Sequence, residues 1–369
     1  MGCASVVVMT QSVTGSTVQP EATQTVAPTS TSFTAGTQQR ATLADVGRLA
    51  GVSPKTVSRV MLDDAKVAAS TRERVLTAAR TLRFRPNHLA SSLRHGSTTN
   101  IVAFVIGDLT NPFYALVAAG IERELAQHGL MMILASTDDD PGSEERVVET
   151  LLRQRVRALI MVPIALDQSY LEGERQLGTP VICVDRPATN LIADSVVLDN
   201  RAGMRAAVRS LTGAGHRRIA FICSPATLYP HQQRLYGYRD ALQEVGVIQT
   251  SRWERLLEVG ASVEDAVRDL LAQDEPPTAL IAANNKVSST VIHTLRSHLK
   301  DIAFIGFDDF ELADLTDISV VAYDASELGR EAARRAVARL KDPVGKPLHI
   351  DIPTRLVARG SGELAGPSA

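Results

Sequence analysis

From Ile101 onward the chain repeats one pattern, a short apolar run followed by a longer stretch of helical periodicity. The runs are Ile101–Ile106, Met131–Ala135, Ala158–Val162, Val181–Val184, Val196–Leu198, Ile219–Ile222, Ala279–Ala282, Ile302–Ile305 and Val320–Ala322. Their hydrophobicity is continuous rather than alternating, so both faces of each strand are covered. This predicts parallel sheets with crossover helices. Nine such strands exceed one comfortable core. Two doubly wound α/β subdomains facing a cleft are the expected solution.

Before Ile101 the period changes. Thr42 can cap a helix, with Asp45 as a weaker capping-box partner, and Leu43, Val46, Leu49 and Ala50 then line one face. Gly51-Val52 is the turn. Ser53-Pro54 is a second start signal, an N-cap followed by proline at the first helical position. Val57, Val60 and Met61 point one way and Lys55, Ser58 and Arg59 the other. Two short helices joined by a tight glycine turn, the second with a cationic face near its start, form an all-α helix-turn-helix. Ser70-Thr71-Arg72-Glu73 reads as a capping box for a third helix, with Val75, Leu76, Ala79 and Leu82 inward.

Asn87 to Arg94 carries an N-cap candidate, Leu89, Ala90 and Leu93 on one side, and Gly96 as terminator. A helix this short is not stable alone in water and folds only when supported. A leucine beside a DNA reader is suited to wedging between base pairs from the minor groove.

Charge sharpens the division. Between Arg40 and Arg94 stand eleven Lys or Arg against four acids, a net of +7, whereas the whole chain is at −2. A small nucleic-acid module joined to an acidic domain gives this asymmetry. Residues 1–39 hold 19 Ser, Thr or Gln and a single charged side chain, Glu21, and are expected to be a disordered tail. The expected domains are the helix-turn-helix at 40–86, a hinge helix and linker at 87–97, the two-subdomain region at 98–360, and a loose end at 361–369.

Cys3, Cys183 and Cys223 lie far apart, an odd count that fits neither a metal site nor a disulfide framework. The start lacks a cationic leader, and no 18-residue apolar stretch is present, so a cytoplasmic protein without membrane contact is expected.

Several segments, in order, carry a resemblance: Ala41-Thr-Leu-Ala-Asp-Val-Gly-Arg-Leu-Ala-Gly-Val-Ser-Pro-Lys-Thr-Val-Ser-Arg-Val, Arg83-Phe-Arg-Pro-Asn-His-Leu-Ala-Ser-Ser-Leu-Arg, Asp108-Leu-Thr-Asn-Pro-Phe-Tyr, Val184-Asp-Arg, Asp199-Asn-Arg-Ala-Gly, Gly215-His-Arg-Arg-Ile-Ala, Ala282-Ala-Asn and Gly306-Phe-Asp-Asp. Together they resemble the LacI/GalR family of bacterial transcription regulators over roughly Ala41 to Gly360. The resemblance implies that Pro54, Lys55 and Arg59 meet base edges in the major groove, Pro54 through apolar contact alone. Thr56 and Ser58 are suited to phosphates. Leu93 matches the family's intercalating leucine, with Ala90 on the same face.

The larger region resembles periplasmic sugar-binding proteins of doubly wound parallel-sheet type. By that resemblance Asn111, Phe113, Tyr114, Arg234, Asn284 and Asp308 stand just past strand ends, where a cleft ligand reaches them. Three departures stand out. Asn285 replaces the family's usual Asp. The connection Leu295–Ile302 lacks the usual Gly and Pro. Ala261-Ser262 occupies the place where many relatives set an aromatic ring against the sugar, with Trp253 a nearby substitute.

The implied protein is a nucleoid-associated transcriptional regulator acting as a repressor. It is expected to be a homodimer on a near-palindromic double-stranded operator, with a small polar effector, a sugar or alternatively a purine or nucleoside, held between subdomains and coupled through the hinge. No cofactor or metal is expected. The competing reading is a cytoplasmic enzyme on the same α/β frame. The sequence contains no G-x-S-x-G elbow, P-loop, H-E-x-x-H or post-strand G-x-G-x-x-G, and His216 reads as structural. A transport binding protein conflicts with the basic head. No heptad repeat follows Gly360, which argues against a C-terminal coiled-coil tetramer.

Overall fold

The computed structural model describes residues 41–62, 64–85, 99–311, 313–343 and 345–367. The chain divides into two compact units at Asn87. The expected tail at 1–39 and the hinge segment with Ala90 and Leu93 lie outside the described residues.

In the first unit, α1 (Leu43–Ala50), α2 (Pro54–Met61) and α3 (Ala69–Thr81) enclose a core of Val46, Ala50, Val57, Val60, Val75, Ala78 and Ala79. Thr42 and Asp45 cap α1 reciprocally, and Gly51 closes it at φ 64, a left-handed conformation that glycine adopts without penalty. The Ser53 hydroxyl accepts from the Thr56 amide at 3.2 Å to start α2. Two expectations are corrected. Leu49 and Leu76 are exposed rather than inward, because the buried stripes run through Val46 and Ala50 on α1 and Val75, Ala78 and Ala79 on α3, beside each leucine. The helix α3 also starts before Ser70. Its N-cap is Ala68, whose methyl offers no cap, since the preceding turn is set by Asp64, which takes the Lys66 amide on its carboxylate and the Arg72 guanidinium on its carbonyl.

The second unit has two lobes, each a six-stranded sheet. The first lobe runs β1 (Ile101–Ile106), α4 (Pro112–Gln127), β2 (Met131–Ser136), α5 (Pro141–Arg153), β3 (Ala158–Met161), α6 (Glu172–Gln176), β4 (Val181–Val184) and β5 (Asp194–Leu198). The chain then crosses to the second lobe: α7 (Asn200–Gly213), β6 (Ile219–Cys223), α8 (Tyr229–Glu244), β7 (Glu254–Leu256), α9 (Val263–Leu271), β8 (Ala279–Ala282), α10 (Asn285–Leu295), β9 (Ala303–Phe307) and β10 (Ser319–Ala322). It returns for α11 (Ala325–Lys341) and β11 (His349–Ile352), and crosses again to β12 (Arg355–Val357). The sheet orders are β11-β5-β4-β3-β1-β2 and β12-β10-β9-β8-β6-β7. All pairs are parallel except β10 with β12.

The nine expected strands are present, and β7, β11 and β12 are additional. Each of the three closes an edge of its sheet and carries polar side chains, so none reads as a continuous apolar run. The Leu295–Ile302 connection, lacking glycine, reverses at Arg296 with φ 38. The expected loose end is anchored as far as Gly366: Ser361 donates to the Phe304 carbonyl at 2.6 Å, Gly362 to Ser319 Oγ, and the Gly366 amide to Ala214 O at 2.8 Å. Buried His216 receives the same segment, with Nε2 2.9 Å from Leu364 O. Cys183 and Cys223 are buried and free.

Two glycines set the packing of the first lobe. A Cβ on Gly120 of α4 would collide with the Ser326 carbonyl, and one on Gly329 of α11 with the Val117 carbonyl. The two helices therefore touch through their backbones.

Candidate functional site

In the first unit, α2 presents Pro54, Lys55 and Arg59 on its exposed side while Val57 and Val60 are buried. Thr56 and Ser58 are half-buried, and the Thr56 hydroxyl lies 3.0 Å from Ser53 Oγ. Arg59 donates through Nε to Asp64 at 2.8 Å, and among the described residues neither terminal nitrogen of the guanidinium meets a hydrogen-bond acceptor.

In the second unit, the carboxyl ends of the strands face a cleft between the lobes. The cavity there is about 110 Å³, and all six expected residues, Asn111, Phe113, Tyr114, Arg234, Asn284 and Asp308, line it. The two lobes supply matching parts. After β4, Asp185 turns back at φ 70 and donates its amide to Val196 O at 3.0 Å; after β9, Asp308 turns at φ 76 and donates to Val321 O at 3.1 Å. Aspartate tolerates this left-handed conformation better than most residues, and here it aims a carboxylate off each strand end. Asn111 caps α4 and Asn284 caps α10, each accepting a backbone amide on Oδ1.

Arg234 is the most constrained group. Its Nε donates to Asn200 Oδ1 at 2.8 Å, Nη1 to the Ala283 carbonyl, and Nη2 lies 3.7 Å from Asp308 Oδ1, while the guanidinium carbon sits 3.6 Å from the centre of the Phe307 ring. Asp308 also accepts the Asn285 amide at 3.0 Å and the Tyr323 hydroxyl at 2.8 Å. Each oxygen of this carboxylate thus accepts one hydrogen bond, Oδ2 from Asn285 and Oδ1 from Tyr323, and the two together orient the group.

Sequence reasoning missed Asp185, Arg186, His231 and Tyr323 as wall residues. Asp185 and Arg186 form a buried pair at 3.1 Å; burial pushes the Asp185 carboxyl up, opposed by the charges of Arg186 and Arg234. His231 is buried, and burial followed by the nearby Arg234 charge lowers its pKa to about 3, so it is neutral. Its Nδ1 donates to the Pro225 carbonyl at 2.7 Å, and Nε2 accepts from Asn284 Nδ2 at 3.1 Å. Burial raises the pKa of Tyr114 and of Tyr323. The rule that found Asn111 and Asp308, polar groups just past strand ends, also reaches Asp185 and Arg186 after Val184.

The departures have structural consequences. Asn285 spans the cleft, its Nδ2 3.3 Å from Asn111 Oδ1. Beside it Lys286 reaches Asp108 at 2.6 Å; burial acts to raise the Asp108 pKa, but the bonds from Lys286 and Thr110 bring it to about 2. Trp253 does not substitute for the missing ring. It packs on the second-lobe core with Nε1 3.4 Å from the Glu275 carbonyl, and it is not a wall residue of the cleft.

The model for bacterial regulatory proteins of the lacI family matches residues 42–87, and that for a periplasmic binding protein-like domain matches residues 208–362. The ribose operon repressor of Escherichia coli (strain K12) is 31% identical over 333 residues, spanning 87% of this chain and 99% of its own. The lac repressor dimer bound to operator and the anti-inducer ONPF superposes with a TM-score of 0.78 at 25% identity, covering 88% of this chain and 99% of that one. The regulator CelR in complex with cellobiose gives 0.65 at 29% identity, covering 88% and 100%.

Proposed function

The chain belongs to the lacI family of bacterial regulatory proteins and is a DNA-binding transcriptional regulator, not an enzyme; we propose that a sugar held between its lobes sets its operator affinity. The convergence of polar groups from both lobes on one cavity carries this reading. A ligand that touches Asn111 and Asp185 of one lobe and Arg234, Asn284 and Asp308 of the other favours one relative placement of the lobes, and a coupling of about 1–3 kcal/mol changes DNA affinity roughly 5- to 150-fold. A sugar suits the site better than a purine. The Phe113 ring meets those of Tyr114 and Tyr323 edge to face, at 60° and 81°, so it stacks parallel with neither, and the polar groups that converge on the cavity offer several partners to ligand hydroxyls.

On the DNA side, Lys55 and Arg59 donate to guanine acceptors, Pro54 makes apolar contact, and Thr56 and Ser58 hold phosphates. Leu93, with Ala90, enters the minor groove from a hinge helix at 87–97. The protein works as a homodimer on a near-palindromic operator, in the cytoplasm and associated with the nucleoid. In keeping with this, no described helix is long and apolar enough to cross a membrane.

Fluorescence anisotropy with duplexes from the protein's own upstream region, titrated with and without ribose, galactose and cellobiose, tests the coupling. A shift in DNA affinity with one of them is expected; a sugar that binds without moving DNA affinity defeats the proposal. Leu93→Ser should weaken specific binding and leave the melting midpoint unchanged, and intact operator affinity in that variant removes the hinge from the mechanism.

A further inference from the structure

At the carboxyl end of α3 the head carries three exposed arginines, Arg80, Arg83 and Arg85. They rim a groove formed by Met61, Leu76, Ala79 and Phe84, and among the described residues no acid lines it. Met61 is the last residue of α2, so the cations also gather at the carboxyl end of that helix. Arg80 Nε reaches the Leu76 carbonyl at 3.3 Å. The side chains of Arg83 and Arg85 make no hydrogen bond or ion pair with a described residue.

The backbone aims them outward. The Arg83 amide donates to Arg80 O at 3.0 Å and the Phe84 amide to Ala79 O at 2.8 Å, with Arg83 at φ 48. This is a helix stop whose left-handed position glycine usually fills. Phe84 turns back onto the core with Met61 and Leu82, which leaves Arg83 and Arg85 exposed on either side of a packed ring.

Two roles are open to such cations: complementing the dipole at the end of α3, or holding an anion. Charge and place favour the second. A recognition helix reads base edges with its first residues. At about 1.5 Å per residue the eight residues of α2 span about 12 Å, which matches the width of the major groove, also about 12 Å. The end of α2 at Met61 therefore comes to the border of the groove, where a phosphate strand runs. An arginine fork fits a phosphate in bidentate fashion.

We infer that Arg83 and Arg85 grip the phosphate strand beside the end of α2, a contact that fixes the helix in register without reading sequence. The inference rests on α2 as the reading helix and is independent of the effector. Fluorescence anisotropy of the full-length protein on a duplex from its own upstream region and on an unrelated duplex, over a series of salt concentrations, tests it. Arg83→Gly is the decisive variant, because glycine adopts φ 48 freely and the head should melt no lower than in wild type. It should weaken binding to both duplexes by about three- to tenfold and make the plot of log affinity against log salt shallower by about 0.9. Arg85→Ala should do the same, and Arg83→Lys, which keeps the charge, should keep most of the slope. Unchanged affinity and slope in Arg83→Gly overturns the inference and leaves the arginines as helix-end charges. A loss confined to the upstream duplex, with the slope unchanged, also overturns it, since that is the signature of a base contact. Should the glycine variant melt lower, Arg83→Asn, which also tolerates the left-handed backbone, decides by the same two readings. Lys55→Ala, run alongside, separates this inference from the reading of α2: a loss from Lys55→Ala with none from Arg83→Gly removes the phosphate contact alone, and no loss from either removes α2 from the groove.

Discussion

Lys55 and Arg59 differ in how firmly they are aimed. Arg59 is tied through Nε to Asp64, so its planar fork is already oriented, whereas Lys55 is exposed on a flexible stem. Replacing Lys55 by Ala should change which base is preferred at one position of each half-site, with a discrimination loss of about 1–3 kcal/mol in a selection from randomised duplexes; a uniform loss over all sequences would make it a phosphate contact. His231 sets a pH dependence. Its pKa is about 3 in the folded chain against an ordinary value of 6.5, so it is neutral in both states above pH 6.5, and below that the unfolded chain binds a proton that the folded chain refuses. Stability therefore falls with pH from 6.5 toward 3, by about 1.4 kcal/mol at one unit below the ordinary value. Denaturant melts of wild type and His231→Gln should differ in slope over that window, and parallel curves would contradict the assignment.

Elements were legible where their hydrophobic period was complete. Strands with an apolar run of three residues or more stand out in the sequence, the half-exposed edge strand β2 among them, whereas β7, β11 and β12 do not, because Glu254, Arg255, His349, Asp351 and Arg355 interrupt their runs. Leu49 and Leu76 misled for a related reason: periodicity identifies a stripe, and a leucine one position off that stripe still reads as part of it. The start of α3 was hidden as well, because Ser70 offers the signature of a cap while the Asp64 turn delivers the chain to the helix at Ala68. That helix begins with its first amides uncapped, so Ala68→Ser should stabilise the head by about 1 kcal/mol, read as a rise in its melting midpoint. No change would mean that another group satisfies those amides.

Across the whole receptor region, the site was partly readable: polar residues past strand ends mark the cleft, and six of them do line it. Lys286, another wall residue, was not readable, since its place depends on a partner in the other lobe, Asp108. The Lys286–Asp108 bridge is half-exposed and of modest strength, about 0–1 kcal/mol. Lys286→Ala should accordingly weaken effector binding by no more than about fivefold, and high salt should remove most of the difference between wild type and variant; a larger loss that persists in salt would make Lys286 a direct ligand contact. The chain passes between the lobes at three places, and Thr354 in the third donates to the Asp199 carbonyl in the first, at 3.1 Å. The second passage runs through Tyr323 into α11, whose backbone rests on that of α4 at Gly120 and Gly329. Backbone meets backbone at these two points, so a displacement of α11 below Tyr323 is carried to α4, whose head holds Asn111 and Phe113.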